Sequence, residues 1–278
     1  MTDTLRERAG QALRDRDPVT KAAAVRTLYQ EAMALPDEQL PLPPSSVESV
    51  PDPGRPASPE LVAPKDVPKR GPATVEGRAA MAHSFAHIEF NALNIGLDAC
   101  YRFDDMPADF YRDWLSVACD EAKHFELLDG YLRERGYAYG AFPAHASLWE
   151  TVFGTEHDVM VRMALIPRVL EARGLDVTPG IQRRLAKYDD QPLIEILDVI
   201  YAEEIGHVEI GTRWFHYACQ QRGVDPRQTF RELLQQYMAG RIRGPYDEVG
   251  RKAAGFSDEE IQDLKDMEAD TLARLEGK

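Results

Sequence analysis

The stretch 116-SVACDEAKHFELLDG-130 sets Asp120, Glu121 and His124 among valine, alanine and leucine at helical spacing. A helix so patterned buries one face, and two carboxylates and an imidazole there need a chemical reason. A second stretch, 199-VIYAEEIGHVEIG-211, repeats the arrangement as Glu203, Glu204 and His207. Positions i and i+3 of a helix lie on one face a turn apart, so each Glu–x–x–His pair reaches a common point beside its helix. Two of seven histidines would have Glu at i−3 in roughly one sequence in ten at this composition, so the pair alone decides little.

Two upstream glutamates sharpen it. Glu89 lies in the apolar run 85-FAHIEFNAL-93, 32 residues before Glu121, and Glu171 lies in 164-ALIPRVLEARG-174, 33 residues before Glu204. The chain thus reads Glu, ExxH, Glu, ExxH at nearly equal spacing. Four carboxylates and two imidazoles in a bundle core are prohibitive to bury as bare charges. Two divalent cations would neutralise them, and mixed carboxylate–imidazole ligation suits iron or manganese. The expected arrangement has Glu121 and Glu204 bridging or near-bridging, with Glu89 and His124 completing one metal sphere and Glu171 and His207 the other. Asp120 and Glu203 are then placed to accept the outer N–H of the histidine on the facing helix.

The rest of the chain supplies four long helices for these residues. The first is expected over about 74–103. The second starts at Met106-Pro107, where proline suits a first turn, and stops before Gly136. Ser147–Glu150 offers a capping box for a short helix. The third long helix is expected from Thr155, with Glu156 and Asp158 complementing its dipole, to Gly174, with a kink at Pro167. Thr178-Pro179 is expected to open a short helix, and Pro192 to lie in the first turn of a fourth long one ending near Gly223. The longest connection follows the second helix. If the third begins at Thr155, the chain must travel roughly 45 Å past the site, which residues 136–154 can span when extended. A four-helix bundle with one long crossover is the ferritin-like arrangement.

Appended segments flank this core. Residues 4–35 read as one or two amphipathic helices, with Leu5, Ala12, Leu13, Val19, Ala23, Val25 and Leu28 facing inward. Residues 36–72 hold 11 of the 19 prolines and read as a linker or as a strap over the following domain. Residues 226–278 hold two helical segments broken around 244-GPYDEVG-250, their glutamates and lysines reading as a solvated face. The organisation is therefore 1–35, 36–72, 73–223 and 224–278, an all-α chain with a central four-helix bundle.

The composition agrees with a cytoplasmic protein. No apolar run approaches a membrane span, and the charged N-terminus lacks a secretory stretch. Three cysteines without a CxxC spacing argue against a disulfide framework or zinc ribbon. A net charge of −14 disfavours a large nucleic-acid footprint.

On the segments 87-HIEFNALNIGLDACYRF-103, 120-DEAKHF-125 and EEIGH, the chain resembles the ferritin-like di-iron carboxylate superfamily. More closely it resembles an uncharacterised bacterial ferritin-like family, itself similar to tRNA-modifying hydroxylases. The resemblance covers about residues 70–222 and implies a di-iron site with oxygen chemistry. The expected function is a non-haem di-iron oxygenase acting on an organic substrate, either a small molecule or a tRNA, with an electron-donor protein as partner and a monomeric or dimeric state. Ferroxidase or iron-binding activity and a dimanganese catalase are the alternatives. Tyr201, one turn before Glu204, is a candidate for hydrogen bonding to a ligand or for redox chemistry. Arg168, one turn before Glu171, is a candidate for a structural salt bridge or an anionic substrate. His83 and His87 project away from Glu89, and Trp114 and Trp214 are read as packing residues.

Overall fold

A computed structural model describes residues 3–276. They form an all-helical chain, with no strand among the described residues. The helices are α1 (Leu5–Arg14), α2 (Pro18–Ala34), α3 (Val75–Arg102), α4 (Ala108–Glu134), α5 (Ser147–Gly154), α6 (Val159–Leu165), α7 (Ala172–Leu185), α8 (Gln191–Arg222), α9 (Pro226–Tyr237), α10 (Glu248–Ala253) and α11 (Asp258–Glu276). A π-helical segment, Ile166–Glu171, joins α6 to α7. Among the described residues no helix is long and apolar enough to cross a membrane.

The chain forms two compact units, one holding the residues up to Glu156 with Leu185–Ile196, the other holding His157–Arg184 with everything from Leu197 on. In the first, α3 and α4 are the central pair, with α1 against α3 and α2 against α4. Gly96 sets how closely α3 approaches α4: a Cβ there would stand 2.7 Å from Trp114 O and 2.8 Å from Ala118 Cβ. The small residue at 96 therefore serves close packing.

The proline-rich segment is a strap, held by its backbone. Gly54 N–H donates to Leu13 O at 2.8 Å, and Trp149 Nε1 donates to Val50 O at 3.1 Å. A parallel bridge pairs Leu61 with Ala144. Lys21, fully buried, donates to Leu13 O at 3.1 Å and to Gly54 O and Asn94 Oδ1, each at 2.5 Å, tying α2, the strap and α3 together. In the same unit Asp190, at the start of α8, accepts from Arg78 Nε and Tyr131 Oη, each at 2.6 Å.

Several local expectations change. In α2 the buried positions are Lys21, Ala22, Val25 and Leu28, whereas Val19 and Ala23 face solvent. Ser147 begins α5 without acting as its cap, so the expected capping box is absent. The third long helix starts after Asp158, whose carboxylate accepts from Met160 N at 2.7 Å, and not at Thr155. At Pro167, where the helix was expected to be disrupted, the chain forms a π segment. The helix then runs on past Gly174 and through Pro179 to Leu185, so Thr178 opens no new helix. Thr178 Oγ1 instead donates back to Gly174 O at 2.8 Å. Among the described residues three helices follow α8, because α10 forms beside the expected break.

The second unit packs α6 against α9 and gathers Phe215, Phe230 and Phe256 around the buried guanidinium of Arg168. Arg168 Nη2 pairs with Glu260 Oε1 at 2.5 Å. This is the structural salt bridge considered for Arg168, and its partner is a C-terminal glutamate expected in solvent but buried.

Candidate metal centre

In the first unit α3 contributes Glu89, while one turn of α4 contributes Glu121 and His124. All three side chains are buried. His124 Nδ1 lies 3.3 Å from Glu121 Oε2 and 3.5 Å from Glu89 Oε2. One ligand atom from each falls within 4.8 Å of the others, so the cluster could hold a metal ion.

Its electrostatics show why a cation suits it. Burial, reinforced by the neighbouring Glu121 charge, holds the Glu89 carboxyl well above the usual carboxylate range. Burial works against a charged His124, but hydrogen bonding and attraction from Glu121 and Glu89 override it and push the imidazole up to about 11. A proton thus partly neutralises the carboxylates. Glu89 Oε2 is buried and accepts no hydrogen bond within ordinary geometry. An oxygen, oxygen, nitrogen donor set of this kind fits iron or manganese better than a thiol-seeking ion.

The second unit carries the other three expected ligands. Glu204 and His207 lie one turn apart on α8, with His207 Nδ1 3.6 Å from Glu204 Oε1. Glu171 closes the π segment, and all three are buried. Pro167 supplies no backbone N–H, which loosens the i→i+4 ladder, and the extra residue per turn sets where Glu171 projects. Gly211 of α8 makes room for the Pro167 ring, since a Cβ there would overlap Pro167 Cβ and Cγ.

All six expected ligands are thus buried, three in each unit, and Glu89, Glu121 and His124 are seen to cluster. Asp120 and Glu203 are half-buried beside them, and Asp120 Oδ1 lies 3.4 Å from Lys123 Nζ. The Tyr201 hydroxyl donates to Asp247, just before α10, and not to Glu204. Burial, with that hydrogen bond and the Asp247 charge, raises its pKa to about 12.

His83 and His87 lie along α3 against the crossover. His87 Nδ1 is 2.8 Å from Tyr139 Oη, and Gly140 N–H donates to His83 Nε2 at 2.9 Å. Trp114 and Trp214 are buried packing residues, as expected. Sequence reasoning missed Glu260 and Asp190, whose partners lie far along the chain.

The sequence profile of a family described as "Protein of unknown function (DUF455)" matches residues 14–262. An uncharacterized protein of Haemophilus influenzae is 45% identical over 267 residues, covering 92% of each chain. No solved structure matches the chain.

Proposed function

The chain belongs to this DUF455 family, and we propose that it is a non-haem di-iron oxygenase. The observation that carries this reading is the burial, in each unit, of one glutamate and one Glu–x–x–His pair. Glu89, Glu121 and His124 of the first unit and Glu171, Glu204 and His207 of the second would hold the iron. Asp120 and Glu203, adjoining Glu121 and Glu204 in sequence, would accept the outer N–H of the histidines and fix their tautomers. When bound, the iron pair supplies the electrons and Lewis acidity with which O₂ is reduced.

The ligands' burial keeps bulk water from the reacting groups. Hydroxylation puts one oxygen atom into a C–H bond and turns the other into water. Two electrons and two protons must therefore enter from outside, so the reading requires an electron-donor partner. Tyr201, engaged by Asp247, is assigned no redox role.

The deciding experiment measures the metal content of wild type beside Glu121→Ala/Glu204→Ala, then exposes the anaerobically reduced protein to O₂ in a spectrophotometer. Two irons per chain, lost in the variant, with rapid oxidation of the reduced protein, would support the reading. Two manganese ions with peroxide turnover would replace it by a catalase. A protein that takes up no metal under loading conditions would sink both.

A further inference from the structure

The second unit contains a pocket that takes no part in the metal chemistry. Its cavity of about 150 Å³ is lined by Arg168, Arg173, Arg241, Arg243 and Arg251, with Asp176 as the one acidic residue in its wall. In a chain of net charge −14, five arginines lining one small space are a local excess of positive charge. At physiological salt the Debye length is about 8 Å, so the surrounding acidic surface does little to cancel it.

Asp176 is already engaged. It accepts from Arg251 Nε at 2.9 Å and Nη2 at 2.7 Å, and from Asp247 N–H at 2.8 Å. Arg168 is matched by Glu260 through Nη2. Guanidinium N–H groups are nonetheless left over: Nη1 of Arg251, and Nε and Nη1 of Arg168, are buried without an acceptor. Both side chains are more than nine-tenths buried, and such donors are rarely left orphaned. Arg173 Nη1 donates to Arg243 O at 2.8 Å and Pro245 O at 3.1 Å, which holds the 243–245 loop against the pocket.

We propose that this pocket binds the phosphate group of a small phosphorylated organic ligand. A dianion matches the excess of guanidinium charge, and its several oxygens can accept N–H groups arriving from different sides, where a carboxylate offers two oxygens in one plane. The volume suits a headgroup and is too small for a whole drug-sized ligand, whose sites run from about 300 Å³ upward. The organic part has a place to lie. A groove of about 460 Å³ shares Asp176 and Tyr246 with the pocket and adds the apolar surfaces of Val177, Pro179 and Ile181. The site uses none of the six metal-site residues, so it stands or falls independently of the oxygenase reading.

Titration calorimetry on the metal-free full-length protein in phosphate-free buffer tests this, with inorganic phosphate, phenyl phosphate, benzoate and a short single-stranded RNA as probes. Arg241→Gln/Arg243→Gln is the variant of choice, because both side chains are exposed and their loss leaves the core intact. The expected result is saturable binding of inorganic phosphate, tighter binding of phenyl phosphate, and a loss of at least tenfold for both in the variant at an unchanged melting temperature. No phosphate binding to wild type, or equal binding by wild type and variant, would overturn the proposal. Benzoate binding as tightly as phenyl phosphate would overturn the phosphate assignment, and RNA outbinding phenyl phosphate would overturn the small-ligand assignment.

Discussion

The ring of Pro167 packs against Gly211 so closely that a Cβ at position 211 would overlap its Cβ and Cγ atoms. This contact seats the π segment carrying Glu171 against the helix carrying Glu204 and His207. Gly211→Ala is therefore expected to destabilise the protein by about 1–3 kcal/mol through overpacking, against a small gain in helix propensity. The same change in a Pro167→Ala background should cost much less, because the clashing atoms are gone. Thermal melts of the two single variants and the double variant measure the coupling. Strict additivity would refute the contact.

Lys21 donates to oxygens from three separate parts of the first unit. Lys21→Met keeps the length of the side chain but strands Leu13 O, Gly54 O and Asn94 Oδ1. Unfolding in urea should show a loss of about 2–4 kcal/mol. Hydrogen exchange should report earlier opening of the strap around Gly54 than of α4. A loss within about 0.5 kcal/mol would mean the three bonds contribute little.

His83 makes the first unit sensitive to acid. Its Nε2 accepts from Gly140 N–H, which only the neutral ring can do. Burial, with a smaller contribution from His87, lowers its pKa from 6.5 to about 4. Between these values the unfolded chain binds the proton and the folded one does not, so stability falls as pH drops from about 6.5 towards 4. Because the ring is partly shielded by protein, the loss from this residue is expected at about 2–3 kcal/mol. Urea midpoints across pH 4–7 should fall less steeply in His83→Gln than in wild type, although that variant starts less stable.

Tyr201 provides a test of assignment. Its hydroxyl donates to Asp247, and Asp247 N–H donates in turn to Asp176 Oδ1 at 2.8 Å. Tyr201→Phe should therefore cost about 1 kcal/mol of stability and leave metal stoichiometry at the wild-type value. Loss of metal on this substitution would tie the phenol to the ligands after all.

Legibility in the sequence tracked how local the cause was. Helices α3, α4 and α8 were readable to within about two residues because apolar periodicity, Pro107, Pro192 and Gly223 act within a turn of the boundary. The run from Asp158 to Leu185 was not. A π segment changes the register, so Gly174 and Thr178-Pro179 ceased to act as stop and start signals. Glu89 and Glu171 stood out because a lone carboxylate in an apolar run has few cheap explanations. Glu260 did not, because the partner that buries it, Arg168, is 92 residues away. Tyr201 looked like a site residue from its distance to Glu204 along the helix, whereas its angular position sends the hydroxyl to Asp247.

The two triads give the strongest prediction, because they repeat one chemistry in separate units. Glu89→Gln and Glu171→Gln each remove one carboxylate charge from one triad at nearly constant shape. If each triad holds one metal ion, either variant should fall from two ions per chain towards one, and the double variant towards none, by metal analysis after dialysis. Each ion should stabilise wild type by about 2.7 kcal/mol at a free concentration a hundred times its dissociation constant. Proton release should accompany binding, because the ion displaces the proton that Glu121 and Glu89 hold on His124. In weakly buffered solution, then, adding ferrous ion anaerobically should acidify wild type more than Glu89→Gln. Affinity should also weaken as pH falls, since each ligand must be deprotonated to bind. Wild-type stoichiometry in both glutamine variants, with no proton release, would show that Glu89 and Glu171 are not ligands.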